Sequence, residues 1–227
     1  MAADDEADDP SAGFASPACL AHEANPDYMG LPQPGGPALA AWRKAERERL
    51  IALRLAMPQD ERQAASEAIA DRLAAHIGPF AGRRISFYWP FRGEPDLRPL
   101  AEKVWAQGGE ALLPVVVAKA APLVFRRWRR GEPLDKGVWN IPIPAGGEAV
   151  EPDIVIAPVV GYDPACYRLG YGGGFFDRTL ALFSRAVAIG VGYDLQRIAT
   201  ICPQPYDIPM SAVVTGTGTH MPARVLG

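Results

Sequence analysis

Apolar residues fall at helical steps through the early part of the chain. Leu39, Trp42, Leu50, Leu53 and Met57 recur every three or four positions or at multiples of that step, interleaved with Arg43, Lys44, Arg47, Arg49 and Arg54, a spacing that predicts a helix with a basic face. Pro58 opens a second helix carrying Ile69, Leu73 and Ile77, and Gly78 ends it. An antiparallel helical pair is therefore expected ahead of any sheet. The period then changes. Ile85 to Trp89, Ala111 to Val117, Leu123 to Arg126, Asp153 to Pro158, Ala186 to Gly192 and Ala212 to Thr215 are short, β-branched or aromatic runs bounded by Gly and Pro, which predict strands. Between the first two, Asp96 can cap a helix with Leu97, Leu100 and Val104 that Gly108-Gly109 stops. Strands alternating with helices predict an α/β domain built on an open, largely parallel sheet with flanking helices in three layers. Ligands bind such sheets beyond the carboxyl ends of the strands. Tyr88 to Glu94, Gly161 to Asp177 and Tyr193-Asp194 are expected to meet there.

Composition changes this picture at one end only. Of the 227 residues, 48% are hydrophobic and 22% charged, as expected of one ordinary globular domain. Residues 1 to 37, however, are rich in Ala, Asp, Pro and Gly and lack apolar periodicity. They are expected to be a disordered tail, because such a segment buries too little apolar surface to offset its ordering entropy. One domain over 38 to 227 should follow. The first forty residues hold seven acids and no Lys or Arg, which leaves 19 of the 26 acids against 23 bases in the remainder. A mildly basic body suits a small polyanion better than duplex nucleic acid. The three cysteines, Cys19, Cys166 and Cys202, show neither zinc nor disulfide spacing, and Cys19 with His22 makes no metal pair of weight. The acidic start and the want of an 18-residue apolar run lead to the expectation of a cytoplasmic protein with no membrane partner.

The densest chemical signal is Gly161 to Leu180, GYDPACYRLGYGGGFFDRTL. Gly170, Gly172, Gly173 and Gly174 lie between an apolar strand and a helix-like segment whose first turn holds Asp177. Glycines let the backbone approach a ligand, and the free N–H groups of a helix start attract anions, so a phosphate is the expected guest. The phrase lacks the Gly-Lys-Ser/Thr ending of a Walker A loop, and Phe175 replaces the third glycine of GxGxxG.

Several other features carry two readings each. Arg43 and Arg47, four apart, either form a solvated face with Glu46, Glu48 and Glu61 or project toward a phosphate. Glu94 is either a solvated loop charge or a binding-edge carboxylate. Trp139, in the turn-rich segment 131 to 144, either packs on the body or stacks a flat ligand. Arg126, Arg127, Arg129 and Arg130 around Trp128 make an exposed basic hairpin rather than a nucleic-acid patch, since nothing nearby repeats them. His76 and His220 are expected at the surface without a catalytic task.

Five phrases in order raise the specificity: the basic first helix, Tyr88 to Glu94 (YWPFRGE), Trp139-Asn140-Ile141-Pro142, the glycine stretch, and Tyr206-Asp207-Ile208-Pro209-Met210. Together, over about residues 40 to 216, they resemble the 5-formyltetrahydrofolate cyclo-ligase family. The resemblance implies a Rossmann-like fold related to the isomerase and CoA-transferase architecture. It also implies ring closure of 5-formyltetrahydrofolate to 5,10-methenyltetrahydrofolate with ATP and Mg²⁺, releasing ADP and phosphate, by a monomer that binds no nucleic acid. In that chemistry the γ-phosphoryl group moves to the formyl oxygen, N10 attacks the formyl carbon, and phosphate leaves.

Residue roles follow from the same resemblance. Arg43 and Arg47, with Lys44 as the alternative first contact, would hold the triphosphate. Arg168, Leu169, Gly170, Tyr171, Gly172, Gly173, Gly174, Phe175 and Phe176 would cradle it. Asp177 would take Mg²⁺, and Arg168 and Asp177 would carry the catalysis. Glu94 would accept hydrogen bonds from the pterin, with Tyr88, Trp139 and Phe176 against its ring. Taken alone, the glycine phrase would also permit a sugar-phosphate isomerase or an acyl-CoA transferase, readings that give Asp177 no metal to bind. A nucleotide- or RNA-binding module using Arg126 to Arg130 is the alternative outside the enzymes.

Overall fold

The computed structural model describes residues 35–222. Apart from Gly35, Gly36 and Pro37, the expected tail lies outside the described residues, as do Cys19 and His22. Helix α1 (Gly36–Ala56) starts within the expected tail, with Pro37 in its first turn, where a missing N–H costs no helical bond. Met57 and Pro58, both extended, turn the chain into α2 (Gln59–Ile77), which ends at Gly78 with φ 76°.

There follow β1 (Arg84–Ser86), α3 (Arg98–Ala106), β2 (Glu110–Val115) and β3 (Val124–Trp128), then a small hairpin of β4 (Leu134–Lys136) and β5 (Pro142–Pro144). After β6 (Ile154–Pro158) comes a second small hairpin, β7 (Gly161–Tyr162) with β8 (Arg168–Leu169), then α4 (Phe175–Leu182), β9 (Val187–Val191), β10 (Ala212–Val214) and β11 (Thr219–His220). The main sheet has seven strands in the order β11-β10-β9-β6-β1-β2-β3. Its five central strands run parallel, and the antiparallel strands β3 and β11 close the two edges. The expected open, largely parallel α/β sheet is thus present.

The layering follows from the period-two alternation of strand side chains. On one face Ile85, Ala111, Leu113, Ile154, Ile156, Ile189 and Val191 meet Ile69 and Leu73 of α2 and Leu100 and Val104 of α3. On the other, Leu112, Val155, Ala157, Ala188 and Val213 meet Leu180 of α4. All five residues of β6 are buried, as a parallel strand covered on both faces requires.

Helix α1 belongs to neither face. Its Leu50 packs with Val160, Leu169 and Ile201, which lie past the strand ends. The two helices of the expected pair therefore follow one another in sequence but pack in different places. That puts the basic face of α1 on the ligand edge of the sheet.

Candidate active site

The glycine loop links β8 to α4. Gly172 (φ 92°) and Gly174 (φ 63°) have left-handed backbones, which explains glycine at those two positions. Gly174 is the N-cap of α4 and supplies no side chain, so the first N–H groups of the helix have no side-chain cap. Arg178 latches the loop from behind through a 2.6 Å bond from Nη2 to the Gly173 carbonyl. A Cβ on Gly170 would fall on Arg168 Nη1.

Arg168 is itself buried. Its Nη2 donates to Asp177 Oδ2 at 3.0 Å, its guanidinium lies 5.0 Å from the centre of the Phe176 ring, and its Nε has no partner among the described residues. Burial pulls its pKa down, while Asp177 and Asp207 push it back up. Phe176 thus acts as the floor beneath this guanidinium and packs into the core around Val155 and Leu180. Phe175 lies under Arg178.

The two α1 arginines expected at the phosphates, Arg43 and Arg47, have different tasks. Arg43 is buried and donates Nε to the Ile201 carbonyl at 3.1 Å and Nη2 to the Cys202 carbonyl at 2.8 Å and Asp207 Oδ2 at 2.5 Å. Arg47 donates only Nε, to the Gly170 carbonyl at 2.6 Å, which leaves both its terminal nitrogens without a partner among the described residues. A Cβ on Gly172 would stand 3.4 Å from its guanidinium carbon. Burial and the charge of Arg43 lower its pKa. Lys44 is exposed and does not line the cavity.

Across the cavity Glu94 is buried at the end of the loop that follows β1. Its Oε2 accepts from the Phe91 N–H at 2.9 Å and its Oε1 from the Tyr171 hydroxyl at 2.8 Å. Burial pushes the carboxyl up to about 7, against the opposing pull of Arg54 and of both hydrogen bonds. Tyr88 donates to the Pro95 carbonyl at 2.8 Å and is buried, which raises its pKa well above the usual phenol range. Trp139 is 59% exposed, has φ 57°, and stacks on Phe91 at 6.4 Å with the ring planes 10° apart. A non-glycine residue in that conformation is uncommon, and such residues cluster at functional sites; Asn140, next to it, has φ 58° as well.

One cavity of about 440 Å³ collects nearly all of these groups. Arg43, Arg47, Arg168, the loop from Leu169 to Phe176, and Asp177 form one part of its wall; Tyr88, Glu94 and Trp139 form another. Of the expected edge, Tyr193 and Asp194 are elsewhere. Tyr193 is in the core, and Asp194 accepts hydrogen bonds from Thr215 and Thr217. In the basic run along and just past β3, Arg127, Arg129 and Arg130 pair with Glu110, Glu132 and Glu102, while Trp128 is buried beside Trp105.

Several participants escaped the sequence reading. Val116, Leu123 and Ile143 line the cavity, as do Phe91, Ile141 and Asp207, which stood in the singled-out phrases without a role of their own. Arg54 is fully buried beside Tyr171. A signal existed for it: Leu39, Arg43, Leu50 and Arg54 share one stripe of α1, so the inward face was half arginine. Tyr171, expected in the phosphate cradle, points its hydroxyl at Glu94.

Among the described residues no three His, Cys, Asp or Glu side chains cluster as metal ligands. Asp177 nevertheless fits Mg²⁺, which is commonly held by one or two carboxylates together with substrate phosphates. Arg168 occupies only its Oδ2.

Fold and cavity define an α/β enzyme domain in which one cavity joins an anion-binding loop to an aromatic, carboxylate-bearing wall. Residues 39–216 match the 5-formyltetrahydrofolate cyclo-ligase family, and the chain belongs to that family, as the five phrases implied. The chain is 30% identical to the 5-formyltetrahydrofolate cyclo-ligase of Escherichia coli K12 over 170 residues, covering 71% of this chain and 93% of that one. With the enzyme of the same name from Mycolicibacterium smegmatis it shares 30% over 178 residues, 74% of this chain and 91% of that one. The Aquifex aeolicus 5,10-methenyltetrahydrofolate synthetase structure superposes with a TM-score of 0.70 at 27% identity, covering 82% of this chain and 96% of the other.

Proposed function

We propose that the protein closes 5-formyltetrahydrofolate to 5,10-methenyltetrahydrofolate with ATP and Mg²⁺, releasing ADP and phosphate. The observation that carries this reading is the continuity of the cavity, which places Arg47, Arg168 and the glycine loop in one chamber with Glu94, Tyr88 and Trp139. A formyl amide is a poor electrophile, and transfer of the γ-phosphoryl to its oxygen turns that oxygen into a leaving group. N10 then attacks the formyl carbon, its proton passes to solvent or base, and the C–O bond breaks as phosphate departs.

The residues supply position and charge. Arg47 presents two nitrogens without a partner among the described residues to the phosphates, and the start of α4, without a side-chain cap among the described residues, adds backbone N–H donors. Arg168 gives a buried positive charge on the same wall. Asp177 would hold Mg²⁺, which would draw charge from the phosphate oxygens. Glu94 receives the N–H donors of the pterin, whose ring lies between Tyr88 and Trp139. Arg43 holds the last loop in place through Asp207 and contacts phosphate less than Arg47 does.

In this reading the chain works as a cytoplasmic monomer with no nucleic-acid partner; its mildly basic body and the pairing of Arg127, Arg129 and Arg130 with acids support the last of these. No helix among the described residues is long and apolar enough to cross a membrane. The test mixes protein, 5-formyltetrahydrofolate, ATP and Mg²⁺ and follows methenyltetrahydrofolate by absorbance. Product that needs both ATP and Mg²⁺ is expected; no product, or product without ATP, overturns the reading.

A further inference from the structure

Arg54 is the most deeply buried arginine among the described residues, with 0% of its surface exposed. Taking a guanidinium out of water costs several kcal/mol unless its donors are met. Three separate segments each accept one hydrogen bond from it. Nε donates to the Arg92 carbonyl at 2.9 Å, in the loop after β1; Nη1 to the Val159 carbonyl at 3.4 Å, past the end of β6; and Nη2 to the Tyr171 hydroxyl at 2.7 Å, inside the glycine loop. None of these is a carboxylate. The negative charge that answers Arg54 is Glu94, one phenol away.

Donor logic makes this chain directional. Arg54 can only donate, so the Tyr171 oxygen must accept from it, and the single phenolic proton is left to point at Glu94 Oε1. The Phe91 N–H likewise can only donate, to Oε2. Each carboxylate oxygen therefore already has one donor and keeps lone-pair capacity for a second. That arrangement suits a ligand edge with two neighbouring N–H donors, which is what a pterin presents.

We propose that Arg54 is a positioning residue for substrate: acting through the Tyr171 hydroxyl, it orients Glu94 as a two-oxygen acceptor. The inference rests on the folate reading of the cavity. Arg54 and Tyr171 face Glu94 from other elements, Tyr88 from its own segment and Tyr193 from beyond β9, while Arg62 lies against Gly93. Of these, only Arg54 and Tyr171 both favour the carboxylate form and stand in the hydrogen-bonded chain.

The decisive variant is Tyr171→Phe, which removes one oxygen and keeps the ring against Phe91. Arg54→Lys, which keeps the charge but loses the fork, is the second. Without any ligand, a ¹³C NMR titration of the Glu94 carboxyl should show a higher midpoint in Tyr171→Phe than in the parent. In turnover, Tyr171→Phe should raise KM for 5-formyltetrahydrofolate about five- to tenfold while KM for ATP moves less than twofold; Arg54→Lys should fall between it and the parent. An unchanged Glu94 midpoint together with an unchanged folate KM overturns the proposal, as does an equal rise in both KM values. If the parent protein makes no methenyltetrahydrofolate, the functional reading fails, and the ligand-free titration still tests the chain of hydrogen bonds by itself.

Discussion

Nη2 of Arg43 meets Oδ2 of Asp207 at 2.5 Å across 164 residues of sequence, clasping the first helix to the last loop. Both side chains are only 9% exposed. Removing one partner strands a largely buried charge, which costs about 3 kcal/mol or more. Arg43→Met should therefore melt roughly 6–12 °C below the parent by calorimetry. Arg43→Met combined with Asp207→Asn should recover much of that loss, because the stranded charge is gone. A single variant with parental melting and a large rise in KM for ATP would assign Arg43 to phosphate instead.

Arg47 and Lys44 divide the phosphate question cleanly. Arg47 has two nitrogens at the cavity wall without a partner among the described residues, and Lys44 is exposed. Charge-assisted hydrogen bonds contribute about 1.5–3 kcal/mol each. Steady-state kinetics should show KM for ATP rising at least tenfold in Arg47→Ala and staying within twofold in Lys44→Ala. The reverse pattern would place the phosphates outside the cavity.

Glu94 sets a pH dependence with a defined sign. Burial pushes its carboxyl up to about 7, whereas a pterin donating two N–H groups needs the carboxylate. kcat/KM for folate should rise with pH through about 7 and then level, falling by up to tenfold per unit below it. Binding at pH 7 should release protons, measurable by calorimetry in buffers of different ionisation enthalpy. Without ligand the sign is opposite for stability. The folded state holds this proton more tightly than the unfolded chain, whose carboxyl titrates near 4.5. The contribution is thus full below that value and is lost as pH rises through 7. Proton uptake on binding would remove Glu94 from the pterin contact.

Asp177 is paired with Arg168 at 3.0 Å and also faces the cavity. Asp177→Asn should lower kcat by about a hundredfold and raise the Mg²⁺ concentration needed for half-maximal rate. If melting falls while the Mg²⁺ dependence stays parental, Asp177 serves only to hold Arg168.

Much of this was legible in local pattern. β6 reads as a strand because five consecutive residues are apolar and both its faces are covered. The positive φ of Gly172 and Gly174 explains why the loop is written in glycine. The order of short phrases carried the family. Glu94 and Trp139 could be named because a parallel sheet gathers its strand ends on one edge. Tyr193 and Asp194 end their strand on that edge too, yet one turns into the core and the other binds threonines.

What the sequence determined by itself was therefore the periodicity of the long helices and of six strands of the main sheet, its largely parallel character and the edge at which ligands meet; the short strands β4, β5, β7, β8 and β11 carry too few residues to show a period. What only the tertiary structure decided was the direction of each charged side chain. Arg43, Arg47 and Arg54 look equivalent on a helical wheel, but they face Asp207, the Gly170 carbonyl and Tyr171 in turn. Their partners lie 164, 123 and 117 residues away. Helical spacing states that residues share a face; what that face meets depends on chain closure over those distances, and desolvation then selects which charge is paired, which is left free and which is buried.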